Sequence, residues 1–192
     1  MYEVELKVRA DHESVRKRLE ELGGAHRATV EQVDTYYDAP HREFAETDEA
    51  LRLREETTLE ESAKTQSEPV EAHTELTYKG ALIDDGTKTR EEHETRVEDS
   101  EAMVAILQGL GFDPAHVVEK VRHRYNLRGY TVTLDRVRGL DEFVEVEQTV
   151  PEEDVAAARE GAIDLLDALG LDSDAGITTS YLGLLLEDDT TE

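Results

Sequence analysis

Eight short stretches of this chain alternate polar and apolar residues, and on their polar sides the charges sort by sign. Successive side chains of a strand point to opposite faces, so within residues 2–9 Glu3, Glu5 and Lys7 share one face while Val4, Leu6 and Val8 share the other. Arg52 and Arg54 oppose Leu51 and Leu53; Thr77 and Lys79 oppose Leu76 and Tyr78; Lys120, Arg122 and Arg124 oppose Val121 and Tyr125; Glu145 and Glu147 oppose Val144 and Val146. An antiparallel sheet with one wet face accounts for any single strand of this kind, but a solvated face mixes charges, and here whole strands specialise in carboxylates or in cations. Curling the sheet with its polar faces inward sets clusters of Glu opposite clusters of Arg and Lys inside a barrel. Such a lumen is costly to bury empty. Its natural occupant is a polyanion held by the cations, with hard Mg²⁺ or Mn²⁺ on the carboxylates, and that points to a triphosphate.

The strand candidates are residues 2–9, 30–37, 50–55, 75–80, 89–97, 118–126, 130–137 and 143–149. Helical spacing occupies residues 12–22, with Asp11 as cap, Val15, Leu19 and Leu22 on one face, and Gly23-Gly24 as the stop. Further helices follow Ser100, begin near Pro151 and end at Gly170, and run from Ser180 through Leu186. Their Leu, Val and Ala stripes read as core covering the outside of the barrel. Residues 56–74 are polar almost throughout and lack both periodicities, which marks a mobile connection between two strands. The expected architecture is α+β, mainly β: an eight-stranded antiparallel barrel forming a charged tunnel with flanking helices, one domain over residues 1–187, and a frayed acidic tail over 188–192.

Composition narrows the chemistry. The absence of cysteine removes disulfides, thiolate metal sites and thiol nucleophiles. No segment approaches the roughly 18 to 20 apolar residues of a membrane span, and Met1–Lys7 lacks a signal-peptide core, so a cytoplasmic protein is expected. No His-Glu-x-x-His, Walker or dinucleotide-binding glycine pattern occurs. The 47 Asp and Glu against 21 Lys and Arg leave a formal charge of −26, which repels phosphate backbones and anionic lipid and disfavours nucleic acid and membrane as partners. Only six of the basic residues are Lys. An acidic, lysine-poor surface suits concentrated salt, where the Debye length shrinks to about 3 Å at 1 M and self-repulsion is screened. The melting temperature should therefore climb steeply from dilute buffer to molar KCl; a flat or falling curve would refute the halophilic reading.

The motifs also carry a family resemblance. Glu3-Val-Glu5-Leu-Lys7 resembles the Glu-x-Glu-x-Lys signature of the CYTH family, the triphosphate tunnel metalloenzymes that include class IV adenylyl cyclases and thiamine triphosphatases. In order there follow Gln32-Val-Asp34-Thr-Tyr36-Tyr37-Asp38, Leu51-Arg52-Leu53-Arg54, Leu76-Thr77-Tyr78-Lys79-Gly80, Arg90-Glu91-Glu92-His93-Glu94, Lys120-Val-Arg122-His-Arg124-Tyr125, Leu134-Asp135 with Val137, and Phe143-Val-Glu145-Val-Glu147, each similar to a segment of that family. Ser180-Tyr181-Leu182-Gly183-Leu184-Leu185 resembles the end of the cyclase branch, although Gly183 stands where that branch more often has an acidic residue. The long polar connection is a second departure. Glu-x-Glu-x-Lys alone carries little weight in so acidic a chain; eight motifs in collinear order carry much.

The resemblance implies that Glu3, Glu5, Glu145 and Glu147 hold divalent metal, with Asp135 a further ligand. It implies that Lys7, Arg52, Arg54, Lys79, Arg90, Lys120, Arg122 and Arg124 cradle the triphosphate, Arg offering bidentate contact and Lys a point charge. Glu92 and Glu94 would orient Arg90 or touch a second metal. Glu3, Glu5, Lys7, Glu145 and Glu147 are the implied catalytic set. The reading favoured is a class IV-type adenylyl cyclase using Mg²⁺ or Mn²⁺, converting ATP to cyclic AMP and pyrophosphate. A triphosphate hydrolase acting on inorganic triphosphate, thiamine triphosphate or a nucleotide is the alternative, with a non-catalytic polyphosphate- or nucleotide-binding module behind both. Homodimerisation is left open.

Overall fold

The computed structural model describes residues 1–59, 69–81 and 90–189. The elements run β1 (Tyr2–Arg9), α1 (His12–Glu21), β2 (Ala25–Asp38), α2 (Phe44–Thr47), β3 (Ala50–Leu59), β4 (Pro69–Lys79), β5 (Arg90–Val97), α3 (Ser100–Gly109), β6 (Asp113–Leu127), β7 (Tyr130–Val137), β8 (Glu142–Val150), α4 (Val155–Ala168) and α5 (Tyr181–Asp189). The strands close into an antiparallel barrel in the order β1-β5-β4-β3-β2-β6-β7-β8, with β8 returning to β1. Every strand and long helix expected from the alternation is present. The short α2, which offers too few residues for periodicity to register, is an addition.

Local chemistry fixes the corners. Asp11 and Asp99 accept from the backbone N–H of Ser14 and Ala102 at 2.9 Å and so cap α1 and α3. The β6–β7 hairpin turns on Arg128 and Gly129, both at positive φ (54° and 85°), the backbone that a two-residue type I′ turn requires. Outside the barrel, α1 and α4 bury Val15, Leu19, Ala162, Leu165, Leu166 and Leu169 against Leu6, Val8, Val132, Leu134, Val144 and Val146. On another side α2 and α3 place Phe44 and Leu107 over Leu51 and Leu53. Burial of this kind, at roughly 25 cal/mol per Å² of apolar surface, drives closure.

Two expectations change. The stretch 56–74 is strand at both ends: β3 runs on to Leu59 and β4 begins at Pro69, paired from Glu55↔Thr74 to Leu59↔Pro69. The amphipathic signal fades there because outward positions such as Glu55 and Thr57 carry polar side chains, leaving no apolar side to alternate with. Residues 60–68 lie outside the described residues, as do 190–192 of the acidic tail, whereas residues 188 and 189 continue α5. In addition, α5 does not coat the outer wall. It packs with Ile177 on Val118, Val137 and Phe143, which share the inward parity of Lys120, Asp135 and Glu145, and thus covers one end of the barrel. Among the described residues no helix is long and apolar enough to cross a membrane.

Candidate active site

The register brings the polar parities together. Glu5 pairs with Glu147 and Lys7 with Glu145 across β1 and β8, Glu3 faces Arg90 across β1 and β5, and Asp34 faces Arg54 across β2 and β3. The interior holds a cavity of about 930 Å³. Of the residues singled out in the sequence, Glu3, Glu5, Lys7, Arg52, Arg54, Lys79, Arg90, Glu92, Glu94, Lys120, Arg122, Arg124, Glu145 and Glu147 all line it. Asp135 does not: it is fully buried, accepts from Arg122 Nε at 2.7 Å and from the Tyr181 hydroxyl at 2.8 Å, and thereby anchors a cation from behind.

The acidic residues divide into two groups. Glu3, Glu5 and Glu147 each present a carboxylate oxygen within 4.8 Å of the other two. Burial first of all, then the charges of Glu3, Glu145 and Glu5, push the Glu147 carboxyl up to about 8 against the pull of Arg122. Burial likewise raises Glu3, opposed by Lys79. Glu145 stands apart. Burial would raise it too, but Arg122, Lys7 and Lys120 hold it below the usual carboxylate range, and Arg122 bonds it directly. An all-oxygen trio that keeps a proton for want of positive charge fits a hard divalent cation; Glu145 is already compensated by side chains.

On the opposite wall one carboxylate organises three cations. Asp34, fully buried, accepts from Arg54 at 2.6 and 2.7 Å and from Lys120 Nζ at 2.7 Å, and lies 3.8 Å from Arg52. Burial works to raise its carboxyl, and Lys120, Arg54 and Arg52 overcome that and hold it well below the ordinary value. Glu56 does the same for Arg124, at 2.7 and 2.6 Å. Lys79 sits between Glu3 and Glu92 at 2.8 and 3.0 Å. Arg52 is the least satisfied: it donates to Thr77 Oγ1 at 3.2 Å, while its buried Nε has no hydrogen-bond partner among the described residues. Arg90 lines the cavity, and its guanidinium also bonds the carboxylate and backbone carbonyl of Asp48 at 2.6 and 2.5 Å and so ties the start of β3 to β5.

Lys120 reports the crowding of charge. Burial, then Arg54, then Arg122 push its ammonium down to about 7, although Asp34 pulls the other way. At pH 8 it is therefore largely neutral in the free protein, and a polyanion entering the cavity should restore its charge by proton uptake. Titration with tripolyphosphate in buffers of different ionisation enthalpy measures this: uptake of a proton at pH 8 that fades by pH 6 is expected, and no uptake would mean that the ligand does not meet Lys120.

Asp34, Glu56 and Tyr181 carry no role in the sequence pattern alone. Asp34 shares the inward parity of Gln32 and Tyr36, so its position was readable. Glu56 lies in the polar stretch 56–74, where no alternation reveals it. Tyr181, at the start of a helix, has no alternation to reveal it.

A closed antiparallel barrel whose lumen sets an acidic trio against a wall of cations is the architecture of a triphosphate tunnel. The CYTH domain model matches residues 1–181, and the chain belongs to that family. It is 35% identical over 186 residues to a protein of Methanocaldococcus jannaschii provisionally named an adenylate cyclase, covering 96% of this chain and 98% of the relative. A Pyrococcus horikoshii protein of known structure is 34% identical, with a TM-score of 0.84 over 97% of this chain and 99% of that one. A Hippeastrum adenylyl cyclase candidate, described with a dominant triphosphatase activity, shares the fold at 19% identity and a TM-score of 0.62, over 97% of this chain and 95% of that one. Members of the family act on triphosphates with divalent metal.

Proposed function

We propose that this protein is a class IV-type adenylyl cyclase that converts ATP to cyclic AMP and pyrophosphate with Mg²⁺ or Mn²⁺. The observation that carries the reading is the division of one lumen into the Glu3, Glu5 and Glu147 trio and a cation wall in which the buried Arg52 Nε waits for an acceptor. The near-full-length likeness to the Methanocaldococcus protein supports the cyclase over other triphosphate chemistry.

Glu3, Glu5 and Glu147 would hold the metal, which when bound neutralises phosphate charge and acidifies the attacking hydroxyl. Arg52, Arg54, Lys120 and Arg122 fix the triphosphate from the opposite wall, and Lys7 adds a charge near the acidic trio. Their guanidinium forks and ammonium groups bind the β and γ phosphates, where charge grows as pyrophosphate leaves. Glu145 holds Arg122 in place, and Asp34 holds Arg54 and Lys120. In this reading the 3′-hydroxyl of the substrate itself is the nucleophile, in line with the leaving group.

The second reading, a triphosphate hydrolase, is favoured by the activity described for the Hippeastrum protein. Incubation with ATP, 3′-deoxy-ATP and inorganic triphosphate, with separation of cyclic AMP, pyrophosphate and phosphate, divides the two. A cyclase makes cyclic AMP and is inhibited by 3′-deoxy-ATP, because phosphate binding survives while the attacking atom is gone. Brisk phosphate release from inorganic triphosphate, with no cyclic AMP from ATP, would establish the hydrolase instead.

A further inference from the structure

The C-terminal segment reaches into the phosphate-binding wall. The Ile177 backbone N–H donates to the Lys7 carbonyl at 2.7 Å, which adds the segment to the inner end of β1. Lys7 Nζ in turn donates to the Thr179 carbonyl at 3.0 Å. Two residues on, the ring of Tyr181, 7% exposed, lies under Lys7 Nζ at 4.3 Å from the ring centroid and within 5.7 Å of Lys120 Nζ. Its orientation is fixed from two sides: the hydroxyl donates to Asp135 Oδ2 at 2.8 Å, and the ring meets the edge of Phe143 at 5.0 Å between centroids. Lys7 and Lys120 stand on β1 and β6, which β7 and β8 separate in the barrel, so no backbone pairing sets their spacing. Tyr181 touches both.

The chemistry of the contact matters as much as its place. Lys7 and Lys120 are 3% and 5% exposed, and a buried ammonium must find acceptors or lose its charge. A carboxylate in close contact would fix such a group but cancel the charge that a phosphate needs. Lys120 meets Asp34 Oδ2 at 2.7 Å on its other side, whereas around Lys7 the carboxylates of Glu5 and Glu145 stand off at 3.7 and 3.6 Å. The face of an aromatic ring attracts a cation through its quadrupole while remaining neutral, so it holds an ammonium without competing as a counter-ion. We propose that Tyr181 is a positioning residue for the phosphate cradle, spacing Lys7 and Lys120 through the face of its ring and thereby making the C-terminal segment part of the binding site. This rests on the lumen being a triphosphate site.

The test is calorimetric titration of the full chain with inorganic tripolyphosphate in EDTA at constant KCl, so that neither metal nor turnover enters. Tyr181→Phe keeps the ring and should bind within about threefold of the parent. Mono-, di- and trifluorophenylalanine placed at the same position drain the ring face while nearly preserving its shape, and affinity should fall stepwise, reaching about tenfold for three fluorines. Leu185→Ala loosens α5 without touching either lysine, and should lower the melting temperature yet bind as the parent does. Affinity indifferent to fluorine number overturns the inference, and so does a loss that tracks melting temperature across all variants, Leu185→Ala included. A parent protein that fails to bind tripolyphosphate overturns instead the triphosphate reading beneath it.

Discussion

Glu147→Gln should lower metal-dependent turnover about 10²-fold or more, some 3 kcal/mol of transition-state stabilisation, while making the metal-free fold more stable at alkaline pH. Both effects have one cause. Glu147 is buried beside Glu3, Glu5 and Glu145, and its carboxyl is pushed up to about 8. A folded-state value above the unfolded one means that the folded state binds more protons between about pH 4.5 and 8, so stability falls as pH rises through that window. At about 1.4 kcal/mol per pH unit the full loss is on the order of 5 kcal/mol. The amide keeps the shape of the carboxyl and cannot ionise, so the variant escapes that loss, and it cannot supply the third anionic oxygen of the trio. Thermal unfolding in EDTA at pH 5 and pH 8.5 reads the first effect: the two proteins should melt alike at pH 5, and the variant higher at pH 8.5. Product formation with saturating Mg²⁺ or Mn²⁺ reads the second. Normal metal-dependent turnover in the variant would remove Glu147 from the trio.

What the sequence disclosed follows from what a barrel does to period-two patterns. Glu3, Glu5, Lys7, Arg52, Arg54, Lys120, Arg122, Glu145 and Glu147 each sit beside an apolar residue of opposite parity, because the outer wall at those positions is covered by α1, α3 or α4 or packed within the sheet. Where the outer wall is bare the pattern disappears, and Glu56 went unrecognised for that reason although its lumen position equals that of Arg54 two residues earlier. Parity also cannot say which inward group meets which. Glu145 and Glu147 look equivalent in sequence, yet the stagger of β8 against β1 puts one beside Lys7 and the other beside Glu5. That single step along the strand makes one a support for cations and the other a member of the acidic trio. Arg90 shares parity with Glu92 and Glu94, but Asp48 at φ 53° turns its carboxylate and carbonyl toward the guanidinium, a contact set by a turn 42 residues away in sequence.

Asp34→Asn should be the most damaging single change to stability. Asp34 is one carboxylate serving Arg54, Lys120 and Arg52, all nine-tenths or more buried, and removing its charge leaves the guanidiniums of Arg54 and Arg52 facing one another and drives Lys120, already pushed down to about 7, to shed its proton. Breaking a buried pair by neutralising one partner typically costs about 3–5 kcal/mol, and here two guanidiniums are stranded. The depressed carboxyl means that in the parent this stabilisation is complete above about pH 4 and is lost only as pH falls through the lower folded-state value. An anion should substitute for it. Asp34 competes with phosphate for the same three cations, so the variant should bind tripolyphosphate at least as tightly as the parent while folding far less stably, and saturating tripolyphosphate should return about 3 kcal/mol at a hundredfold excess over Kd. Denaturant unfolding of both proteins, with and without tripolyphosphate in EDTA, measures all of this. A loss below about 1 kcal/mol would mean that the cations are held by the barrel alone; a large loss that tripolyphosphate does not relieve would mean that Asp34 supports the strands and not the charge of the cradle.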